Sequence, residues 1–234
     1  MRKNNKYYLR KTHRSLGVII GIQFLFWTIS GLYFSWTDID EIHGDHLLKE
    51  APTYSLAGLQ SGASIDSTLK ISAMELRFIA SEPYFWVNDS MLFSVKTGKR
   101  KAEITKEEAI GVVKENLVSE IKIKKVAYLN TVTDHHEYRG GSLPAWVIHF
   151  DQEDELTAYV AAVDGRFQKV RHNSWRWFDF LWMTHTMDYQ SRDNFNNWLL
   201  RGFSAFGLLT IVSGFTLFFT TTGRKKKKLI TKIQ

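Results

Sequence analysis

The sequence predicts an α+β fold in which two transmembrane helices flank an extracytoplasmic antiparallel sheet with one helix laid across it. Three observations support this prediction: two long uncharged runs, basic tails outside them, and strand-like and helix-like patterns between them. The 234-residue chain contains no cysteine. Disulfides, thiolate-held iron–sulfur clusters and cysteine nucleophiles are therefore excluded.

The first uncharged run covers 22 positions, residues 15–36. As a helix rising about 1.5 Å per residue it would span roughly 33 Å, which exceeds a hydrocarbon core of about 30 Å. Its apolar core is too long for a cleaved signal peptide and no A-x-A site follows it, so we expect it to remain as an anchor. The second run, 203–222, is 20 residues long and predicts a transmembrane helix over 198–222.

Charge predicts the orientation of these helices. The tails, residues 1–14 and 223–234, contain twelve Lys and Arg residues and no acid, whereas residues 37–197 carry a net charge of −6. By the positive-inside rule both tails are cytoplasmic and residues 37–197 lie outside. The basic pI of ≈ 9.4 therefore reflects juxtamembrane tails. The expected partner is the lipid bilayer and not nucleic acid.

Small residues follow one face of each predicted transmembrane helix. Such residues let helix backbones approach closely in lipid. We expect the two helices to pack together or against the helices of a partner. The residues are Gly17, Gly21, Thr28, Gly31 and Ser35 in the first helix, and Ser204, Gly207, Thr210 and Gly214 in the second.

The region after the first helix begins with segments of weak pattern. Residues 51–70 contain Pro52, Gly58, Gly62 and several serines, and they predict a loop or linker. Residues 69–80 fit either a strand or a short helix. Residues 82–99 predict a hairpin that turns near Asp89-Ser90.

The next region has clearer signals. Thr105 and Glu108 form a capping-box pattern, and apolar residues follow at helical spacing, so a helix is predicted from Thr105 to Leu117. Three strand-like runs follow, of which the second alternates like a half-buried strand and the third turns at Asp164-Gly165. These runs are residues 122–132, 144–152 and 155–171.

Four stretches within residues 103–172 resemble the PepSY domain: ITKEEAIGVVKENL, KIKKVAY, AWVIHF and TAYVAAVDGRFQKV. That family has a capped helix, an edge strand, and paired strands that end in a step like Val163-Asp164-Gly165. Residues 82–98 look like a degenerate partial copy. The resemblance implies one helix packed on a meandering antiparallel sheet.

The whole chain also resembles the PepSY-associated transmembrane proteins. Their first helix opens with a His-Arg-x-x-Gly pattern, matched by His13, Arg14 and Gly17, and a histidine precedes a later helix, as His185 does. The resemblance implies a bacterial inner membrane protein with residues 37–197 in the periplasm. It also raises haem b as a cofactor, because histidines placed like His13 ligate haem b in related membrane reductases.

His185 lies in an aromatic segment that predicts an interfacial helix over 174–189. On such a helix it shares an apolar face with Trp182, so its ring nitrogens need partners. The candidates are an aspartate, a backbone carbonyl or water, the iron of a haem, or another metal. The sequence leaves two interpretations of Asp188 and Arg192. Either Asp188 orients the His185 ring, or Arg192 pairs with Asp188 or Asp193 in an interfacial joint.

Other histidines are weaker candidates. His43 and His46 could chelate a divalent metal if their stretch is helical, although Gly44 argues against a rigid helix. His13 is expected at the cytoplasmic mouth of the first helix, as a haem ligand or as a snorkelling interfacial residue. Because His13 and His185 would lie at opposite membrane faces, roughly 30 Å apart, they would belong to separate sites. The remaining histidines are predicted to be surface residues: His135, His136, His149 and His172.

The sequence contains no G-x-S-x-G, H-E-x-x-H, P-loop or dinucleotide-binding motif. We therefore assign no catalytic residue and expect no enzymatic role for the chain alone. One hypothesis is a non-catalytic accessory or regulatory envelope module that binds a partner protein, a peptide or a second copy. The other is a haem b-binding electron-transfer component, similar to the inner-membrane ferric-siderophore reductases of iron uptake and acting as a reductase subunit.

Overall fold

The computed structural model describes residues 5–50, 53–54, 65, 68–118 and 122–230. The chain forms two compact units. The sheet unit is Thr37–Phe178, and the helical unit consists of the residues on either side of it. The helices are α1 (Asn5–Trp36), α2 (Ile39–His43), α3 (Lys106–Asn116), α4 (Asn173–Thr186) and α5 (Trp198–Ile230), with a short 3-10 helix at Asp45–Leu47. The strands are β1 (Met74–Ile79), β2 (Glu82–Val87), β3 (Met91–Ser94), β4 (Arg100–Lys101), β5 (Ile123–Leu129), β6 (Ala145–Phe150), β7 (Thr157–Ala161) and β8 (Phe167–Arg171).

In the described part of the chain, α1 and α5 are the two helices that are long and apolar enough to cross a membrane. The qualifying stretches are Tyr7–Trp36 and Trp198–Thr220, and only 17% and 6% of their most apolar windows is buried. A core helix of a soluble protein would bury most of this surface. Both helices extend beyond the predicted spans, because residues 5–14 and 223–230 are also helical. The remaining tail residues, 1–4 and 231–234, lie outside the described part.

The helices α1 and α5 pack against each other. Two glycines of α5 lie close to side chains of α1, whereas the glycines of α1 have no such close contact. A Cβ added at Gly207 of α5 would meet Ile20 at 3.9 Å, and one added at Gly214 would meet His13 at 3.2 Å. A Cβ added at Gly17 or Gly21 of α1 would meet no atom within 4 Å. The predicted small-residue packing therefore holds for α5, whereas the glycines of α1 line an open groove of about 470 Å³.

The first sheet of the sheet unit is antiparallel, in the order β1-β2-β3-β4. The ambiguous segment 69–80 contributes strand β1, and the predicted hairpin is confirmed as β2 and β3. Its turn is at Asn88-Asp89, one residue before the predicted position. Both residues have positive φ, 50° and 51°, which a type I′ turn requires and which Asn and Asp tolerate.

The second sheet is antiparallel in the order β5-β6-β7-β8, and helix α3 packs between the two sheets. The predicted capping box of α3 is confirmed, with Thr105 and Glu108 each bonding the other's backbone N–H. One core joins the sheets through α3, and it includes Trp86 of the first sheet and Ile148 of the second. Residues 82–98, which look like a degenerate partial copy, therefore supply β2 and β3 of a four-stranded sheet that packs on α3.

The prediction that β6 is half-buried is wrong. Ile148 and Phe150 face the α3 core, and Val147 on the other face is also buried, at 6% exposure. It packs with Tyr138 and Tyr159, whose rings stack 4.5 Å apart. The loop that contains Tyr138 therefore covers the second face of the sheet, which alternation in β6 alone does not reveal.

The two sheets also contact each other directly at one end of α3. Arg77 of β1 donates to Asp164 at 2.8 Å, although Arg77 is only 8% exposed. Arg166 donates to Glu75 of β1 at 2.9 Å. These ion pairs join β1 to the β7–β8 turn, so the predicted Asp164-Gly165 turn has a structural partner in the first sheet.

Gly111→Ala should destabilise the sheet unit. The added Cβ would lie 2.5 Å from the Cβ of Ala80, a contact that outweighs the gain of about 1 kcal/mol in helix propensity. We expect the free energy of unfolding to fall by about 1–3 kcal/mol, measured by denaturation of the full-length protein in detergent.

Ala80→Gly provides the matched control for this change. It removes the opposing Cβ and suits the positive φ of 50° at that position. The double variant should recover most of the lost stability. An equal loss with and without Ala80→Gly would contradict the contact.

Candidate functional site

The first candidate site is built around the C-terminal end of α4, where α1 supplies three polar side chains. Gln23 Nε2 donates to the carbonyl oxygen of Thr184 at 3.3 Å, and Trp27 Nε1 donates to that of His185 at 2.7 Å. Ser30 Oγ lies 2.7 Å from His185 Nδ1. The spacing of these three α1 residues puts them on one helix face. Gln23 and Trp27 satisfy carbonyls that the end of a helix leaves without partners.

The contacts of Ser30 assign the proton on His185. Ser30 Oγ lies 2.7 Å from the carbonyl oxygen of Phe26, and two oxygens approach this closely only when a hydrogen lies between them. The hydroxyl proton therefore points to Phe26, and Nδ1 of His185 must donate to Ser30. His185 lies outside both candidate spans, and burial lowers the pKa of its imidazole. The neutral ring then has an unprotonated Nε2.

Two aromatic rings of α1 lie beside His185, a contact that the aromatic pattern of its own segment does not indicate. The ring centroids of Phe34 and Trp27 lie 5.5 Å and 6.5 Å from that of His185. Trp182 of α4 meets Phe34 at 5.7 Å and Phe195 at 5.4 Å. The imidazole is thus held in a flat, apolar setting with a single polar partner among the described residues.

His13 has the same hydrogen-bond pattern on α1. Its Nδ1 lies 2.7 Å from Ser213 Oγ of α5, and the Ser213 hydroxyl donates to the carbonyl oxygen of Thr210 at 2.8 Å. His13 therefore also donates through Nδ1. His13 is 17 residues from Ser30 on α1, about 25 Å along the axis. His13 and His185 are too far apart to ligate one iron, in line with the expectation of separate sites.

Asp188 does not orient His185; Ser30 occupies that position instead. The Asp188 carboxylate accepts four hydrogen bonds, from the backbone N–H groups of Gln190, Ser191 and Asn194 and from the Ser191 hydroxyl. Although burial raises its pKa, the hydrogen bonds from Ser191, Asn194 and Gln190 lower the pKa of Asp188 to about 2. Its role is to fix the turn that follows α4.

Arg192 pairs with neither Asp188 nor Asp193, contrary to the predicted joint. It donates to Asp179, which lies in α4 and is 4% exposed. Asn197 donates to the carbonyl oxygen of Thr186 at 3.0 Å. The segment between α4 and α5 therefore folds back onto α4 through long-range contacts that neighbouring sequence does not indicate.

His43 and His46 do not share a helix. His43 ends α2, Gly44 follows with a φ of 85°, and His46 lies in the short 3-10 helix. Both histidines are exposed. Among the described residues no group of three or more His, Cys, Asp or Glu side chains could hold a metal ion. The helical geometry that the metal hypothesis requires is therefore missing.

The prediction that His172 and His149 are ordinary surface residues is wrong. His172 is 2% exposed, and its Nδ1 lies 3.3 Å from Asp154 Oδ2. His149 is half-buried and lies 3.2 Å from the hydroxyl of Thr157. Both depend on residues in the 151–157 turn and strand, so the pattern of their own strands gives no sign of burial. His136 is also half-buried, and its Nδ1 accepts from Tyr138 N.

Asp188→Asn should destabilise the turn after α4, because an amide cannot accept all four hydrogen bonds. We expect the free energy of unfolding to fall by about 1–3 kcal/mol at neutral pH. The folded pKa is about 2 and the unfolded value about 3.9. The stabilisation is therefore present above about pH 4 and is lost as the pH falls towards 2.

Denaturation of both proteins in detergent at several pH values tests this expectation. The difference in the free energy of unfolding between wild type and Asp188→Asn should shrink as the pH falls from about 4 to about 2. Asp134→Asn changes an exposed position and should not differ from wild type in this way. A difference that is constant through the window would contradict the assigned role of Asp188.

Comparison with known proteins gives no further guide to this site. No protein-family model, curated protein or solved structure matches the chain. The resemblance to PepSY proteins therefore stays a prediction from the residues, and the function rests on the geometry described above.

Proposed function

We propose that this chain is a membrane-anchored, PepSY-like accessory module of the bacterial envelope that binds a partner protein or peptide. The observation that supports it is the exposed apolar surface of α1 and α5. Large side chains such as Val18, Phe26, Leu208 and Phe215 are at least half exposed, which is unfavourable in water and favourable in lipid. In this proposal the chain is non-catalytic.

The sheet unit supports the same proposal of a membrane-anchored accessory module. It has its own core of two sheets around α3, with Tyr159 and Tyr138 closing the far face. The basic residues at both ends of the sequence and the net charge of −6 between them favour a periplasmic position for residues 37–197. Such a module would present its surface outside the inner membrane while α1 and α5 hold it there.

Cysteine labelling tests this topology, because the chain has no native cysteine. A membrane-impermeant maleimide should label Lys96→Cys in cells whose outer membrane is permeabilised, since Lys96 is exposed on the sheet unit. Lys3→Cys should be labelled only after detergent opens the inner membrane. The cysteine-free chain is the control. Labelling of position 3 without position 96 in intact inner membranes would overturn the proposed orientation.

A second candidate function, haem-dependent electron transfer, is favoured by one specific observation. Both His13 and His185 donate through Nδ1 to a serine, and Nε2 of each has no hydrogen bond to another described residue. A metal-ligating histidine has this arrangement, since its second nitrogen is held by an oxygen acceptor. The aromatic rings around His185 provide the flat apolar contacts that a porphyrin requires.

The two histidines would each hold haem iron, in two separate sites. His185 would hold one iron, with Ser30 fixing its ring, and His13 would hold another, with Ser213 in the same role. A bound haem would supply one-electron transfer. The protein would supply the oriented imidazole, the apolar surroundings and the separation of the two sites along α1.

A reduced-minus-oxidised visible spectrum of the detergent-purified protein, expressed with excess haem, tests this candidate. We expect a haem band that His185→Ala diminishes, and Ser30→Ala should lower haem affinity by about 10- to 100-fold because Nδ1 loses its acceptor. His43→Ala, at an exposed position outside the helical unit, should leave the spectrum unchanged. A colourless wild-type protein would exclude haem binding by this chain.

A further inference from the structure

A recess of about 670 Å³ lies on the sheet unit, beside the edge strand β5. His149 of β6 and Thr157 of β7 are opposite each other in register and both line it. They share the sheet face of Val147 and Tyr159, which is the face turned away from α3. Lys124, Lys125 and Arg176 contribute the charged part of the wall.

A β-bulge brings the two lysines together. The register moves from Ile123 opposite Phe150 to Lys125 opposite His149, so Lys124 is an extra residue in β5. In a regular strand consecutive side chains point to opposite faces. A bulge changes the direction of one of them. As a result both Lys124 and Lys125 line the recess.

The other charged residues of the recess are Arg176, Glu137 and Glu155, and the Glu155 carboxylate lies 3.9 Å from the Arg176 guanidinium. Arg176 donates to the Glu137 carboxylate at 2.7 Å and 3.3 Å, and its remaining donor binds the carbonyl oxygen of Glu155 and the side chain of Asn173. Although burial raises the pKa of Glu137, hydrogen bonds from Arg176 and Tyr159 lower it, so the carboxylate stays charged.

Lys124 and Lys125 have no such compensation. Both are exposed, and neither forms a hydrogen bond or ion pair with its side chain in the described part of the chain. No acidic side chain among the described residues pairs with either lysine, although Glu137 and Glu155 line the same recess. A desolvated or half-desolvated anion placed there would gain charge-assisted hydrogen bonds.

Protection of a sheet edge is the competing explanation for these lysines. Charged side chains and bulges on an edge strand prevent it from pairing with other chains. That role requires no concave site and no polar groups on the inner strands. Here the lysines line one cavity together with the imidazole of His149 and the hydroxyl of Thr157. Protection of the sheet edge does not explain this arrangement.

We propose that this recess binds the carboxylate or phosphate group of a small molecule, held by Lys124 and Lys125, with His149 as a third contact. The volume suits such a ligand, since small-molecule sites usually measure about 300–1,000 Å³. Phe150 and Leu156 also border the recess, although both side chains are buried in the α3 core. The binding site lies entirely within the sheet unit, so it does not depend on the membrane topology.

The charged groups around His149 connect its protonation to anion binding. Burial and the neighbouring Lys125 lower the pKa of His149, whereas Glu137 raises it and Arg176 and Lys124 lower it further. A bound anion would favour the charged imidazole. Anion affinity should therefore rise as the pH falls through the pKa of His149.

Calorimetric titration of the full-length protein in detergent, at low ionic strength, tests the site with two probes. Sulfate represents a tetrahedral oxyanion and succinate represents a carboxylate ligand. We expect at least one to bind, and we expect Lys124→Gln/Lys125→Gln to weaken that binding by about tenfold or more. The probe that binds more tightly identifies which of the two anionic groups the site prefers.

Lys99→Gln/Lys114→Gln is the matched control, because it removes the same charge at two exposed positions outside the recess. Its affinity should stay within about threefold of wild type, because neither side chain lines the recess and only direct contacts give charge-assisted hydrogen bonds to the anion. Wild-type protein that binds neither probe would overturn the proposal. Equal weakening in both double variants would overturn it as well, since binding would then follow overall charge.

The variant His149→Gln tests the contribution of His149 to anion affinity separately from that of the two lysines. As the pH falls from about 7 to about 5, through the range below the ordinary histidine pKa of about 6.5, wild-type affinity for sulfate should increase, and sulfate itself keeps its charge in this range. The variant should bind with little dependence on pH. A pH dependence that is identical in both proteins would remove His149 from the site.

Discussion

The C-terminal end of α4 depends on hydrogen bonds that other segments provide. A helix leaves its last carbonyl groups without partners, and these groups are costly where no water can reach them. Gln23 and Trp27 of α1 bind the carbonyls of Thr184 and His185, and Asn197 binds that of Thr186. These contacts bring α1, the end of α4 and the start of α5 to one point in the helical unit.

The same requirement for paired polar groups determines the state of the two histidines. Ser30 and Ser213 each donate their single hydroxyl proton to a carbonyl of their own helix. Each can then only accept from the histidine, so Nδ1 of both rings is a donor. This shared arrangement distinguishes His13 and His185 from the exposed His43 and His46, whose surroundings impose no tautomer.

The sequence predicts those features whose cause lies within a few residues. The capping box of α3, the turn at Asn88-Asp89 and the two apolar helices depend on local spacing and composition, and all three are present. The partners of the site residues are distant in sequence. Ser30 is 155 positions from His185, and no periodicity in either segment connects them.

Burial of polar residues was the least predictable feature for the same reason. His172 ends a strand in a polar neighbourhood, yet Asp154 and the turn that contains it cover the ring. Arg192 has acids on both sides in sequence and pairs with Asp179 instead. The bulge at Lys124 is likewise absent from the alternation of β5, because it arises from the register with β6.

His13 and the glycines that follow it in α1 differ in how closely α5 approaches them. A Cβ added at Gly214 of α5 would meet the His13 ring at 3.2 Å, whereas a Cβ at Gly17 or Gly21 would meet no atom within 4 Å. Gly17 and Gly21 line a groove whose other wall includes Gly207 of α5. An unfilled small-residue face gives up the packing that holds helices together in lipid. A partner helix against this groove would restore that packing, which agrees with the proposed accessory module that binds a partner protein.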